Sequence, residues 1–261
     1  MTRTPPDAWP YPFWVAHRGA GKLAPENTLA AFRLGASHGY RMFECDVKLS
    51  ADEVPFLLHD DGLERTTDAL AQLGASASAL AGQLPWSTLA QLDAGGWHSR
   101  LYAGEPLASF SAIAHFCIAN GYFLNIEIKP SPGSEHPTGA VVARHAARLW
   151  QAQPVKPLMS SFAVEALQGA LATQPELPRA LLLDQLWDGW LAAAQALGCI
   201  AIVCNHRLWD ADTVQQVHAA GMRALSYTVN EPTDVQRLMG LGTQGIITDR
   251  VDAFNPSCLP G

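Results

Sequence analysis

The chain has 261 residues, 48% of them apolar and 16% charged, a balance that can bury a large core and that excludes wholesale disorder. A formal charge of −7 supplies no basic stripe for a phosphate backbone, which argues against nucleic acid as a partner but leaves room for a small phosphate ester held by local cations. No window offers about 18 uninterrupted apolar residues, and 1–11 carries prolines and charges without an apolar signal core, so a soluble, cytoplasmic protein without stable membrane association is expected.

In chain order, 13–16 is a short apolar strand that ends in His17-Arg18-Gly19. Parallel α/β folds place their chemistry at the C-terminal ends of strands, which sets this pair apart from an ordinary polar turn. Residues 28–38 follow with Leu29, Ala30, Phe32 and Ala36 at helical spacing, Asn27 or Thr28 as the cap and Gly39 as the terminator. A strand at 42–49 comes next, and then an apolar run, 54–58, that meets His59-Asp60-Asp61. From 62 to 108 the rhythm breaks into alanine, serine, leucine and glycine, with Trp86 and Trp97 as isolated large residues. That stretch is too long for an ordinary loop and reads as a small, partly helical insertion.

Strands at 122–128, 158–160, 180–183, 200–204, 224–229 and 245–248 then alternate with helical patterns. The helices fall at 112–120, 141–151, 164–172, 191–197, 212–220 and 235–241. With 42–49 and 54–58 counted as one strand position, there are eight. Regular βα alternation of that count predicts an α/β fold with a closed parallel barrel, against an open doubly wound sheet as the competing reading. No fixed-period repeat or low-complexity linker divides the chain, so one domain over 1–261 is expected, with the insertion inside it. Cys45, Cys117, Cys199, Cys204 and Cys258 are odd in number and scattered, which speaks for reduced thiols rather than disulfides or a zinc site.

Glu44 and Asp46, at i and i+2, share one face of the second strand. Two like charges held so close need a cation between them. A solvent-facing edge would also explain them, yet Met42, Phe43, Val47 and Leu49 mark an inner strand. Glu127 and Lys129 repeat the device, opposite Ile126 and Ile128 in face, and inside a barrel they would project toward the same mouth. Three carboxylates without a cysteine form a hard, oxygen-rich site suited to Mg²⁺ or Ca²⁺. Lys129 adds a point charge for an anionic ligand. His17 and His59 at two strand ends make an acid and base pair, with Asp60 able to orient the second ring. The other seven histidines fall on helices or loops and read as surface residues.

His17-Arg18-Gly19, Pro25-Glu26-Asn27-Thr28, Glu44-x-Asp46, His59-Asp60, Glu127-x-Lys129, Tyr227-Thr228-Val229-Asn230 and Gly245-Ile246-Ile247-Thr248-Asp249 together resemble the glycerophosphodiester phosphodiesterase family. The similarity runs from about 13 to 250 with the motifs in the family's order. The resemblance implies a TIM (β/α)8 barrel with a small insertion after the second strand. It implies Glu44, Asp46 and Glu127 as ligands of a divalent metal, Mg²⁺ before Ca²⁺, and His17 and His59 as acid and base. Arg18, Lys129, Asn27 and Tyr227 would bind substrate and phosphate, and Glu26 would support the same mouth. The implied reaction takes small-molecule glycerophosphodiesters, such as glycerophosphocholine or glycerophosphoethanolamine, to sn-glycerol 3-phosphate and an alcohol.

The chain departs from the family where Tyr227 stands for a frequent tryptophan, Gln244 for an aspartate and Arg250 for a proline; none of these touches the metal or histidine positions. A phosphodiesterase acting on intact lipid would want a basic or aromatic docking helix, which the acidic balance disfavours. A barrel that binds without turnover would be favoured by a missing histidine or carboxylate, and none is missing. A homo-oligomer is left open.

Overall fold

The structure, a computed structural model, describes residues 9–74 and 80–257. The elements of the first half are β1 (Trp14–Ala16), α1 (Leu29–Ser37), β2 (Met42–Leu49), β3 (Pro55–Leu57), α2 (Ala69–Leu73), α3 (Trp86–Leu89), α4 (Phe110–Asn120) and β4 (Phe123–Ile128). The second half adds α5 (Glu135–Leu149), β5 (Leu158–Ser161), α6 (Val164–Thr173), β6 (Arg179–Leu183), α7 (Trp190–Ala196), β7 (Ala201–Asn205), α8 (Ala211–Ala219), β8 (Arg223–Tyr227), α9 (Pro232–Gly240) and β9 (Gly245–Thr248).

Eight strands run parallel in the order β1-β2-β4-β5-β6-β7-β8-β9, and β1 pairs with both β9 and β2, which closes the barrel. This is the TIM barrel expected from the alternation, and the open sheet is excluded. Strand 54–58 is not part of the second barrel strand: β3 lies antiparallel on β2, with Val47 opposite Leu57. The chain reverses between them through a turn in which Ser50 N–H donates to the Val54 carbonyl at 3.1 Å and Glu53 takes a left-handed φ of 59°. Hydropathy cannot tell a continued strand from one that has doubled back. Helix α5 begins at Glu135, earlier than the apolar period suggested, because its first turn is polar and carries Pro137.

Alternation along each strand sorts the core into two layers. Val15, Met42, Leu158, Leu182, Val203, Leu225 and Ile247 fill the barrel interior. Phe43, Cys45, Leu124, Ile126, Leu181 and Ile202 face outward, and Phe32, Phe110, Val142 and Leu167 pack in the same cluster from the helices. Glu44 and Asp46 share parity with Met42, so β2 delivers both carboxylates to the interior above its apolar layer. The excursion after β3 has its own small core of Leu63, Leu89 and Leu92, joined by Phe56. Four cysteines are free and buried, while Cys258 lies outside the described residues. Among the described residues no helix is long and apolar enough to cross a membrane.

Candidate active site

The mouth is built on a tight loop after β1. The Asn27 backbone N–H donates to the Arg18 carbonyl at 3.0 Å, and both residues hold left-handed φ values, 61° and 50°. Gly19, with φ of 99°, lies where a Cβ would stand 2.8 Å from Ala31 Cβ in α1. A Cβ on Gly35 of α1 would in turn collide with the Gly19 carbonyl. Glycine at these two positions lets the helix press the loop against the barrel top.

Within the loop, Asn27 is buried and uses both ends of its amide on Asp46. Its Nδ2 donates to Asp46 Oδ2 at 2.8 Å, and its Oδ1 accepts from the Asp46 backbone N–H at 3.1 Å. Arg18 donates its backbone N–H to Glu44 Oε2 at 3.0 Å and NH1 to Glu26 Oε1 at 2.8 Å, and its Nε lies 3.3 Å from Asp46 Oδ2. Lys129 donates to Glu127 Oε1 at 3.2 Å and sits 3.6 Å from Asp46 Oδ1.

Glu44, Asp46 and Glu127 bring one oxygen each within 4.8 Å of one another. Burial pushes the Glu44 and Glu127 carboxyls up, and the neighbouring carboxylates push them further; Glu127 reaches about 7. Burial also opposes ionisation of Asp46, but Arg18 and Lys129 outweigh it and hold that group down at about 2. Glu44 Oε1 is buried with no hydrogen-bond partner, and so is Oδ1 of Asn125, its neighbour across the strand pair. A crowded, oxygen-only donor set with an orphaned carboxylate oxygen fits a hard divalent cation.

His17 and His59 face the same cavity of about 140 Å³, which Glu44, Asn125, Glu127 and Lys129 also line. His17 Nδ1 donates to Asp249 Oδ1 at 2.7 Å, leaving Nε2 on the cavity side, 3.8 Å from Glu44 Oε2. Asp249 is fixed in turn: Asn230 Nδ2 donates to its Oδ2 at 3.0 Å, and Asn230 Oδ1 accepts from its backbone N–H at 2.9 Å. His59 Nδ1 donates to Asp60 Oδ1 at 2.6 Å. Burial lowers the His59 pKa, and Arg18 and Lys129 reinforce that against Asp46 and Asp60. Both rings therefore have one nitrogen committed to a carboxylate and one available for proton transfer.

Tyr227 closes the far wall. Its hydroxyl donates to the Leu183 carbonyl at 3.1 Å and its ring packs edge-on against Phe162, with centroids 5.7 Å apart. Every residue singled out from the sequence is thus at this mouth, with Asp46, Asn27 and Glu26 behind the lining rather than in it. Five residues were not assigned parts beforehand: Asn125, Asp249, Asn230, Arg65 and Phe162. Asp249 and Asn230 stood inside the quoted motifs, but their partners only become visible when β9 closes on β1. A larger cavity of about 440 Å³ lies at the opposite, N-terminal end of the strands. There Arg179 is spent on the carbonyls of Leu197, Pro175 and Leu177, and no histidine is among the described residues that line it.

A closed parallel barrel whose C-terminal mouth gathers two carboxylate-backed histidines, an oxygen-donor triad and two cations defines a (β/α)8-barrel enzyme with a site for an anionic ligand. Residues 17–253 match the Glycerophosphoryl diester phosphodiesterase family, and the chain belongs to that family. The glycerophosphodiester phosphodiesterase of Bacillus subtilis (strain 168) is 25% identical over 258 residues, covering 92% of this chain and 84% of its own. An Oleispira antarctica phosphodiesterase in complex with the product sn-glycerol-3-phosphate is 31% identical with a TM-score of 0.82, covering 92% of this chain and 93% of that one. A glycerophosphodiester phosphodiesterase from Agrobacterium tumefaciens str. C58 is 25% identical with a TM-score of 0.77, over 94% and 99%.

Proposed function

We propose that this chain hydrolyses small glycerophosphodiesters, such as glycerophosphocholine or glycerophosphoethanolamine, to sn-glycerol 3-phosphate and an alcohol. The observation that carries the reading is the convergence of His17 and His59, each backed by an aspartate, on one cavity beside Arg18, Lys129 and the carboxylate triad. The Oleispira relative, with its bound sn-glycerol-3-phosphate, supports the product side of the reaction.

Glu44, Asp46 and Glu127 would hold the divalent cation, Mg²⁺ first and Ca²⁺ second, which when bound neutralises charge on the phosphate oxygens. Arg18 and Lys129 present further positive charge to those oxygens, where it counts most as charge grows in the transition state. Of the two histidines, one takes the proton of the attacking oxygen and the other gives a proton to the leaving alkoxide as the phosphorus–oxygen bond breaks, together contributing about 10²–10⁴ in rate. Asn27 holds Asp46, Glu26 steadies Arg18, and Tyr227 with Phe162 bounds the organic part of the substrate. The excursion at 62–108 works within the same domain as the barrel, since Arg65 reaches from it to Glu26. Four free buried thiols agree with a reducing compartment, and we assign the enzyme to the cytoplasm.

The test is a head-group panel read by release of glycerol 3-phosphate. Turnover of glycerophosphocholine or glycerophosphoethanolamine, lost in EDTA and regained with Mg²⁺, is expected. Turnover indifferent to the chelator sinks the metal assignment, and no glycerol 3-phosphate from any member of the panel sinks the reaction.

A further inference from the structure

Arg65 stands in the excursion five residues beyond Asp60, and its side chain is 44% exposed. It is not among the residues that line the cavity. Its guanidinium nevertheless grips two carboxylates at once. Nε and NH2 donate to Asp60 Oδ2 and Oδ1, the second at 3.0 Å, while NH1 and NH2 donate to Glu26 Oε2 and Oε1 at 2.9 and 2.7 Å. Each carboxylate then holds a group at the mouth. Asp60 Oδ1 accepts from His59 Nδ1 at 2.6 Å, and Glu26 Oε1 accepts from Arg18 NH1 at 2.8 Å.

We propose that Arg65 is a positioning residue that couples the two halves of the mouth, orienting the His59 ring through Asp60 and the Arg18 guanidinium through Glu26. The proposal rests on the roles given to His59 and Arg18 above. Arg65 is half-exposed while Asp60 and Glu26 are 32% and 14% exposed, so the fork can add some stability as well as fix geometry, and a melting curve beside the kinetics separates the two. Two forked contacts from one planar group do fix the planes of both carboxylates, which a lysine could not do. The plane of Asp60 in turn fixes which way the imidazole faces. Lys48, buried at 1% exposure, separately pins the same corner by donating to Asp61 Oδ1 at 2.6 Å. The corner thus keeps a hold that is independent of Arg65, and what Arg65 adds is the fixed plane of Asp60. Glu26, released from Arg65, is free to take Arg18 with both oxygens and draw it away from an incoming phosphate.

The experiment compares Arg65→Gln, Arg65→Lys, Arg65→Ala and His59→Ala on whichever glycerophosphodiester the panel turns over. Loss of a residue that orients a reacting side chain is expected to cost about 10–100-fold in kcat. For Arg65→Gln that fall should come with a raised KM and a Tm close to wild type. Arg65→Lys should fall between, and millimolar guanidinium should restore part of the rate of Arg65→Ala but none of that of His59→Ala. Wild-type kcat and KM in Arg65→Ala, with His59→Ala inactive, overturns this proposal alone. So does a rate loss matched by lost folded protein with unchanged KM and no guanidinium rescue. Full activity in His59→Ala instead overturns the role of His59 on which the proposal stands.

Discussion

Asp249 and Asp60 do the same work for two histidines by different routes. Asp60 is the next residue after His59, whereas Asp249 reaches His17 across 232 positions of sequence and is braced by the neutral amide of Asn230. The His17 carboxylate sits low because hydrogen bonds and the facing ring outweigh its burial, so it remains an acceptor for Nδ1–H and keeps Nε2 on the cavity side. Asp249→Asn can present its amide to the ring and favour the wrong tautomer. Such a change is expected to lower kcat by about 10²–10⁴-fold with little change in Tm. Steady-state kinetics beside a melting curve checks this, and an Asp249→Asn enzyme at wild-type kcat removes Asp249 from the site. At Tyr227, the replacement of the family's frequent tryptophan brings a hydroxyl that anchors on the Leu183 carbonyl, holding the ring against Phe162. At the other two departures, Gln244 bonds the Ala224 backbone N–H and Arg250 pairs with Asp252, both away from the cavity lining.

Among the elements, α1 does most to place the chemistry, because it packs directly on the loop that carries His17 and Arg18. Thr28 caps it by accepting from the Ala31 N–H, which starts the helix immediately after the Asn27 clamp on Asp46. Gly35 meets the Gly19 carbonyl, so Gly35→Ala must push the helix and loop apart. Overpacking of this sort costs about 1–3 kcal/mol, and in a chain of this size each kcal/mol lowers Tm by about 2–4 °C. Gly35→Ala is expected to lose activity as well, since the displaced loop carries Arg18; differential scanning calorimetry and an assay on the same sample check both, and an unchanged Tm would show that the contact gives way freely. The short β3 has the opposite character. It adds no barrel strand, but it turns the chain so that His59 arrives over the mouth and the excursion begins on the same side.

For the molecule as a whole, the triad makes stability depend on pH and on the cation together. A raised carboxyl such as Glu127 binds a proton in the folded state that the unfolded chain releases above its ordinary value of about 4.3. The metal-free fold is therefore expected to lose stability as pH rises from there through about 7. Cation binding needs the deprotonated groups, so Mg²⁺ should raise Tm more at pH 8 than at pH 5, with about 2.7 kcal/mol available at 100-fold excess over Kd. Thermal melts with and without Mg²⁺ at the two values decide it, and equal shifts at both, or a shift that survives Glu44→Gln, would contradict the triad as the cation site.

Period and spacing carried the eight strand positions, the break at 62–108 and the placing of His17, Glu44, Asp46, His59, Glu127 and Lys129 at one mouth, because strand parity and strand-end placement are local properties of a chain, whereas the parts of Arg18, Glu26, Asn27 and Tyr227 came from the family resemblance. Glu44-x-Asp46 was readable as an inward pair from its apolar neighbours, and β2 then appeared over the residues expected of it. The doubling back of β3 was not readable, since an apolar run carries no sign of its direction. Nor were the second partners: Asp249 behind His17, Asn27 spent on Asp46 rather than lining the cavity, and Arg65 spanning Asp60 and Glu26. Those contacts join residues from separate loops, and their geometry exists only once β1 has paired with β9 and the excursion has folded back over the barrel top. Chain-local chemistry thus chose which side chains stand at the mouth, and barrel closure chose which of them hold one another in place.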